Sequence, residues 1–159
     1  MFRLPKRADQ WFSNIRPYLN YDFDVYYYCL MAGLAKGVKE NLPSNETRDV
    51  IKNFPNEYRS ESKIIVAYFL TKELERLGVS LDDRVIVHRT IKKYLDSDSP
   101  SAILSEEGQR EMNKYANAGI DVLIEEYNGN KPQHIETFLP WFSKLISSLE
   151  SSNTFQTTA

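Results

Sequence analysis

Asp22-Phe23-Asp24-Val25-Tyr26-Tyr27-Tyr28-Cys29-Leu30-Met31-Ala32-Gly33-Leu34-Ala35-Lys36-Gly37-Val38 is the stretch whose reading decides the fold. Its apolar run, Val25 to Ala35, is 11 residues long. A membrane span needs roughly 20, so the run reads as a core helix of a soluble domain, from about Asp22 to Val38. Asp22 or Asp24 can cap its start, because a carboxylate accepts from the orphan N–H groups and suits the positive helix end. Lys36 and Lys39 fall at the far end, as the helix dipole prefers. Gly33 and Gly37 either admit a second helix at close range or end this one at Gly37. Three consecutive tyrosines leave a helix in three directions, so Tyr26, Tyr27 and Tyr28 place at least one ring at an exposed or interfacial position.

Upstream, residues 1–20 contain Pro5 and Pro17, and carry Arg3, Lys6, Arg7 and Arg16 against Asp9 alone. They read as a flexible arm with a helical turn around Trp11 and Phe12. An exposed Trp-Phe pair is expensive, so the arm is expected to dock on the body or on a partner. Downstream, breakers and periodicity predict helices over about Ser44 to Asn53, Ser60 to Leu77, from a capping arrangement of Ser80 and Asp83 to about Leu95, Ser105 to Tyr127 and Gln133 to Leu149. Phe54-Pro55 closes the first of these. Ile64 to Leu70 is apolar on all sides and implies a central helix, although Ile64-Ile65-Val66 would also suit a strand. Arg84 to Ile91 alternates enough to be a strand as well. Met112, Tyr115, Ala116, Gly119, Val122 and Leu123 recur as one buried stripe. Pro140 is expected to kink or split the last helix.

The fold class is therefore all-α. A compact bundle of about five to six helices spans residues 21–150, with the flexible arm before it, a loop over Asp96 to Pro100 within it, and a disordered tail over 151–159. The 159 residues suit one domain, and 42% hydrophobic with 26% charged is ordinary globular composition. A net charge of −2 argues against a dedicated nucleic-acid binder. Cys29, alone and inside an apolar run, forms no internal disulfide and points to a reducing, cytoplasmic setting. No signal-peptide core is read near the N-terminus. Aromatics at 13% exceed what a small core needs and imply large fillers or an interface.

No residue is assigned to catalysis, to a metal or to a cofactor. His88 and His134 fall on different elements without ligand spacing, and no phosphate loop or nucleophile elbow is present. Asp22 and Asp24 could serve a small hydrolase or nuclease, but capping explains both. A basic element lies at 70–95. Leu77-Gly78-Val79-Ser80 is placed like the turn of a helix-turn-helix, and Arg84, His88, Arg89, Lys92 and Lys93 follow. Arg84, His88 and Lys92 are four apart and share a face able to track phosphates. Leu74 replaces the small residue of that motif, however, and Arg84 replaces its apolar plug, with Val85 one place late. The competing reading is a solvated basic face. Candidate partner-interface residues are Trp11, Phe12, Tyr26, Tyr27 and Tyr28. Mid-helix Asn113 and Asn117 cost propensity. They read either as bonds to a neighbouring loop or partner, or as tolerated surface residues.

Two stretches carry a resemblance: Tyr21 to Gly33, and Leu104-Ser105-Glu106-Glu107-Gly108 with Asn113-Lys114-Tyr115-Ala116. Their rhythm is similar to an aromatic-rich helix of small accessory proteins in bacterial DNA-modification and anti-phage operons. The resemblance implies a subunit of a larger nucleoprotein or ATP-driven defence assembly, with chemistry done by other subunits. It transfers no functional residue. The leading expectation is a non-catalytic helical subunit of a multiprotein prokaryotic assembly, an anti-phage complex acting on nucleic acid. Its partners would be larger protein subunits, with no membrane involved. The alternative is direct DNA or RNA binding through the helix-turn-helix-like element.

Overall fold

A computed structural model describes residues 1–96, 98 and 103–157. Ser97, Ser99 and Pro100 of the expected loop lie outside the described residues. The elements run β1 (Phe2–Pro5), α1 (Lys6–Phe12), α2 (Asp22–Lys36), β2 (Thr47–Ile51), α3 (Arg59–Arg76), α4 (Arg84–Tyr94), α5 (Glu106–Glu126) and α6 (Ile135–Thr157), with 3₁₀ turns at Arg16–Tyr18 and Asn56–Tyr58. The fold is mainly helical but not all-α, because β1 and β2 form an antiparallel two-stranded sheet.

The spine is the crossing of α2 and α5. A Cβ on Gly119 would collide with the Cys29 carbonyl, and one on Gly33 with the Tyr115 carbonyl. Two glycines thus let the backbones touch, and the close-approach reading holds at Gly33. Gly37 plays the other role, ending α2 at φ 74° and donating to the carbonyls of Gly33 and Leu34. Ser105 caps α5 as its sequence position implies, its Oγ accepting from Gly108 N–H at 3.0 Å.

Three buried amides, one turn apart on α5, fasten the rest of the chain to this spine. Gln109 Oε1 accepts from the Met1 amine, and its Nε2 donates to the Lys52 carbonyl at 2.7 Å. Asn113 Oδ1 accepts from Arg3 N–H at 3.1 Å and Tyr26 O–H at 2.8 Å, while Nδ2 donates to the Met1 carbonyl at 3.0 Å. Asn117 Nδ2 donates to the carbonyls of Glu40 and Asn41, and Oδ1 accepts from Arg7 at 3.0 Å. Asn117 realises the neighbouring-loop reading, and Asn113 bonds to the N-terminal strand and to Tyr26 of α2, so that each amide pairs both backbone and side-chain groups.

Three expectations are corrected. Residues 1–20 are no flexible arm: Phe2, Leu4, Trp11, Phe12 and Ile15 are core residues, and β1 is held by both β2 and α5. The helix expected over Ser44 to Asn53 is a strand, β2, because Thr47, Val50 and Ile51 suit extended backbone and Phe2–Pro5 supplies the pairing edge. The split expected at Pro140 does not occur and the tail expected from Ser151 is helical as far as described: α6 continues to Thr157, with Thr158 and Ala159 outside the described residues. Pro140 and Glu136 are both on the exposed face. The carbonyl that Pro140 leaves without a donor there is open to water.

Candidate functional site

The candidate site is the outer edge made by α3 and α4. Asp83 caps α4, its Oδ1 accepting from Ile86 N–H at 3.3 Å. The strand alternative for Arg84 to Ile91 is thereby settled as helix. Val87, Thr90, Ile91 and Tyr94 recur at helical spacing and face the body, with Thr90 and Tyr94 buried. The Tyr94 ring packs 5.5 Å from that of Phe69, and its O–H donates to Glu73 Oε2 at 3.1 Å. Lys39 Nζ reaches Glu73 at 2.7 Å and Glu111 at 2.5 Å. This buried knot ties α3, α4, α5 and the segment after α2 together. Burial, then the Glu73 carboxylate, pushes the Tyr94 and Tyr115 hydroxyls far above the usual tyrosine range.

The opposite face of α4 is open. Val85, His88, Arg89 and Lys92 share it, with Leu77 and Leu81 in the turn ahead. Leu77, Leu81, Val85 and Ile86 are 58%, 71%, 69% and 40% exposed. The side chains of Arg84, His88, Arg89 and Lys92 make no hydrogen bond or ion pair among the described residues, whereas Lys93 reaches Glu107 at 3.2 Å. The surface thus interleaves aliphatic and basic side chains, with Asp82 and Asp83 between Leu81 and Val85. The five basic residues expected at 84–93 are together and exposed. The helix-turn-helix plug is missing, since Val85 and Ile86 are turned to solvent instead of seating α4 on α3.

The proposed aromatic interface is largely corrected. Trp11, Phe12 and Tyr26 are buried within this chain: the Trp11 Nε1–H donates to the Asn130 carbonyl at 2.9 Å, and Tyr26 is fixed by Asn113. Tyr27 and Tyr28 are half-buried, Tyr28 lying against Phe138 and Phe142 with ring centroids 5.1 and 4.9 Å away. Burial pushes the Tyr28 hydroxyl up to about 12. The aromatic surplus is used as filler where short elements meet.

Asp22 and Asp24 are engaged structurally. Arg48, on β2, donates to both oxygens of Asp9 and both oxygens of Asp22, at 2.6–2.9 Å. Burial opposes ionisation of Asp22, but Arg48 and Arg16 hold its carboxyl below the usual range. Asp24 accepts from Tyr21 N–H at 3.0 Å and from Tyr58 O–H at 2.5 Å. Among the described residues no group of three or more His, Cys, Asp or Glu is placed to hold a metal. A cleft of about 430 Å³ lies over Arg3, Pro43, Arg110 and Lys114. Arg3 and Lys114 are already paired there, with Asp49 and Glu111.

What the sequence reading missed is the aliphatic part of this edge. The signal was present: once Val87, Ile91 and Tyr94 define the inward stripe, Val85 falls on the opposite side among the charges. No described helix is long and apolar enough to cross a membrane. Comparison with protein-family models, curated proteins and solved structures finds no match.

Proposed function

We propose that this chain is a non-catalytic helical subunit that docks on protein partners through the α3–α4 edge. The observation that carries this reading is the exposure of Leu77 and Leu81 ahead of α4 and of Val85 and Ile86 in its first turn, while the inner face of α4 is already satisfied. Scattered apolar residues are normal on a surface, but four within one short stretch, beside cations without an intrachain partner among the described residues, have the make-up of an interface. The resemblance noted for Tyr21 to Gly33 gives the assembly its proposed setting, a cytoplasmic prokaryotic complex acting in anti-phage defence.

The test is affinity capture from the native host, comparing wild type with Leu81→Asp/Val85→Asp. The expected result is a partner retained in stoichiometric yield by wild type and lost from the variant at unchanged melting temperature. Equal capture by both would remove the edge from consideration.

A second reading, direct DNA or RNA binding, is favoured by the exposure of Arg84, Arg89 and Lys92. It requires binding to duplex or single-stranded oligonucleotides that weakens steeply with salt and vanishes in Arg89→Glu/Lys92→Glu. Asp82 and Asp83 weigh against it, since they stand at the end of α4 that would enter a groove.

A further inference from the structure

We infer that the free side of β2 is a docking site for an extended peptide segment of a partner protein. The segment joins the sheet as a third strand and seats one bulky apolar side chain beside the start of α2. This surface is separate from the α3–α4 edge and does not rest on the reading given above.

The direction of each backbone group follows from two hydrogen bonds. Lys6 N–H donates to the Glu46 carbonyl at 2.8 Å, so residues 6 and 46 form a hydrogen-bonded pair. Such pairs alternate along an antiparallel ladder. Leu4–Arg48 is therefore the next, and Pro5–Thr47 and Arg3–Asp49 turn their backbone groups away from each other. Arg3 N–H does so, donating to Asn113 Oδ1 at 3.1 Å, and α5 thereby closes the outer side of β1. By the same alternation the N–H and C=O of Thr47 and Asp49 point outward from β2. Neither Thr47 group nor the Asp49 N–H has a partner among the described residues, and the Asp49 carbonyl has only the Arg48 guanidinium at 3.5 Å.

Charged side chains commonly guard an open strand from pairing. Here those charges are engaged within the chain, Arg48 by Asp9 and Asp22, and Asp49 by Arg3. A cavity of about 300 Å³ joins the Ile51 end of the strand to the start of α2, lined by residues 20–23 with Val50, Ile51 and Pro55. Tyr21 and Ile51 in its wall are 42% and 37% exposed. Unpaired amides and carbonyls at every second residue select an extended backbone, and the cavity selects an apolar side chain carried on it. That combination is strand addition.

A second copy of this chain fits the site less well. A twofold axis at Asp49 sets Asp49 against itself, and an axis at Arg48 sets Arg48 against itself. Like charges directly opposite across strands are destabilising.

The experiment selects binders to the purified full chain from a phage-displayed library of random peptides. The selected sequences should share one bulky apolar position. In amide hydrogen exchange the Thr47 and Asp49 amides should be fast in the free chain and slow once a selected synthetic peptide is bound, with Arg48 slow in both. Proline is tolerated where a strand N–H faces outward. Asp49→Pro, which deletes one outward donor, should therefore fold and bind the peptide about tenfold more weakly. Asp49→Ala keeps the donor, loses only the ion pair to Arg3, and should bind as wild type does. Methylating alternate backbone nitrogens of the peptide gives a readout that needs no folded variant. One set should abolish binding and the intervening set should leave it intact.

A library that yields no binder, or a binder that leaves the Thr47 and Asp49 amides as fast as before, would overturn the inference. So would methylation that acts without alternation. Protection of both amides that grows with the concentration of the chain alone would identify a second copy as the occupant and overturn it too.

Discussion

The α2–α5 crossing and the α3–α4 edge use apolar residues in opposite ways. At the crossing, Gly33 and Gly119 bring backbone against backbone, and each neighbouring polar group is matched by an amide of α5. At the edge, one face of α4 is anchored by Tyr94 on Glu73, and the other offers Val85 to solvent, with Leu81 exposed in the turn ahead, beside cations without an intrachain partner among the described residues. The first region is closed, with no room for a methyl group. The second has apolar area left over. The difference teaches that an aromatic surplus is a poor guide to an interface. Here most of the aromatic rings fill the interior, and the side chains left exposed at the edge are aliphatic.

The comparison breaks most readily at the crossing. Gly119→Ala drives a methyl into the Cys29 carbonyl, and the helices must separate along their whole contact. The expected cost is about 3 kcal/mol by urea unfolding. A neutral substitution would mean that the crossing is loose.

Next comes the amide ladder. Asn113→Ala leaves the Arg3 N–H, the Tyr26 hydroxyl and the Met1 carbonyl without their partner, at an expected cost of about 2 kcal/mol. Tyr26→Phe should cost about 1 kcal/mol. In the Asn113→Ala background its effect should shrink, a non-additivity that a double-mutant cycle reads directly.

Alkaline pH should loosen both regions together. The hydroxyls of Tyr26, Tyr58, Tyr94 and Tyr115 are all raised above their ordinary value of 10.0, with burial the leading cause. A group raised in the folded state contributes stability that is complete below its unfolded value. That contribution is lost as pH climbs through the folded value. Melting temperature should therefore hold to about pH 10 and then fall, and Tyr94→Phe should soften the fall. A flat profile above that pH would show these hydroxyls to be solvated.

Much of the helical content was legible from local patterns. The cap at Ser105 and the stripe from Met112 to Leu123 depend on residues close in sequence and formed as read, whereas α4 starts only after Asp83, its sole cap, and not from a Ser80 and Asp83 arrangement. The failures share a physical cause. Whether Thr47 to Ile51 pairs as a strand depends on Phe2–Pro5, more than 40 residues away. Whether Trp11 and Phe12 are an arm or a core depends on Tyr28, Tyr127 and Phe138 arriving from α2, α5 and α6. A local window holds none of those partners. The basic half of the edge was visible because charge is countable in sequence, and its aliphatic half was hidden because exposure is not.

The smallest expected effect is the most telling. If the outer face of α4 serves association and not folding, the Leu81→Asp/Val85→Asp variant should be as stable as wild type. Urea unfolding at low protein concentration should place the two within about 0.5 kcal/mol of each other. A loss of about 2 kcal/mol or more would show that these side chains are buried in the fold and leave the edge with nothing to offer a partner.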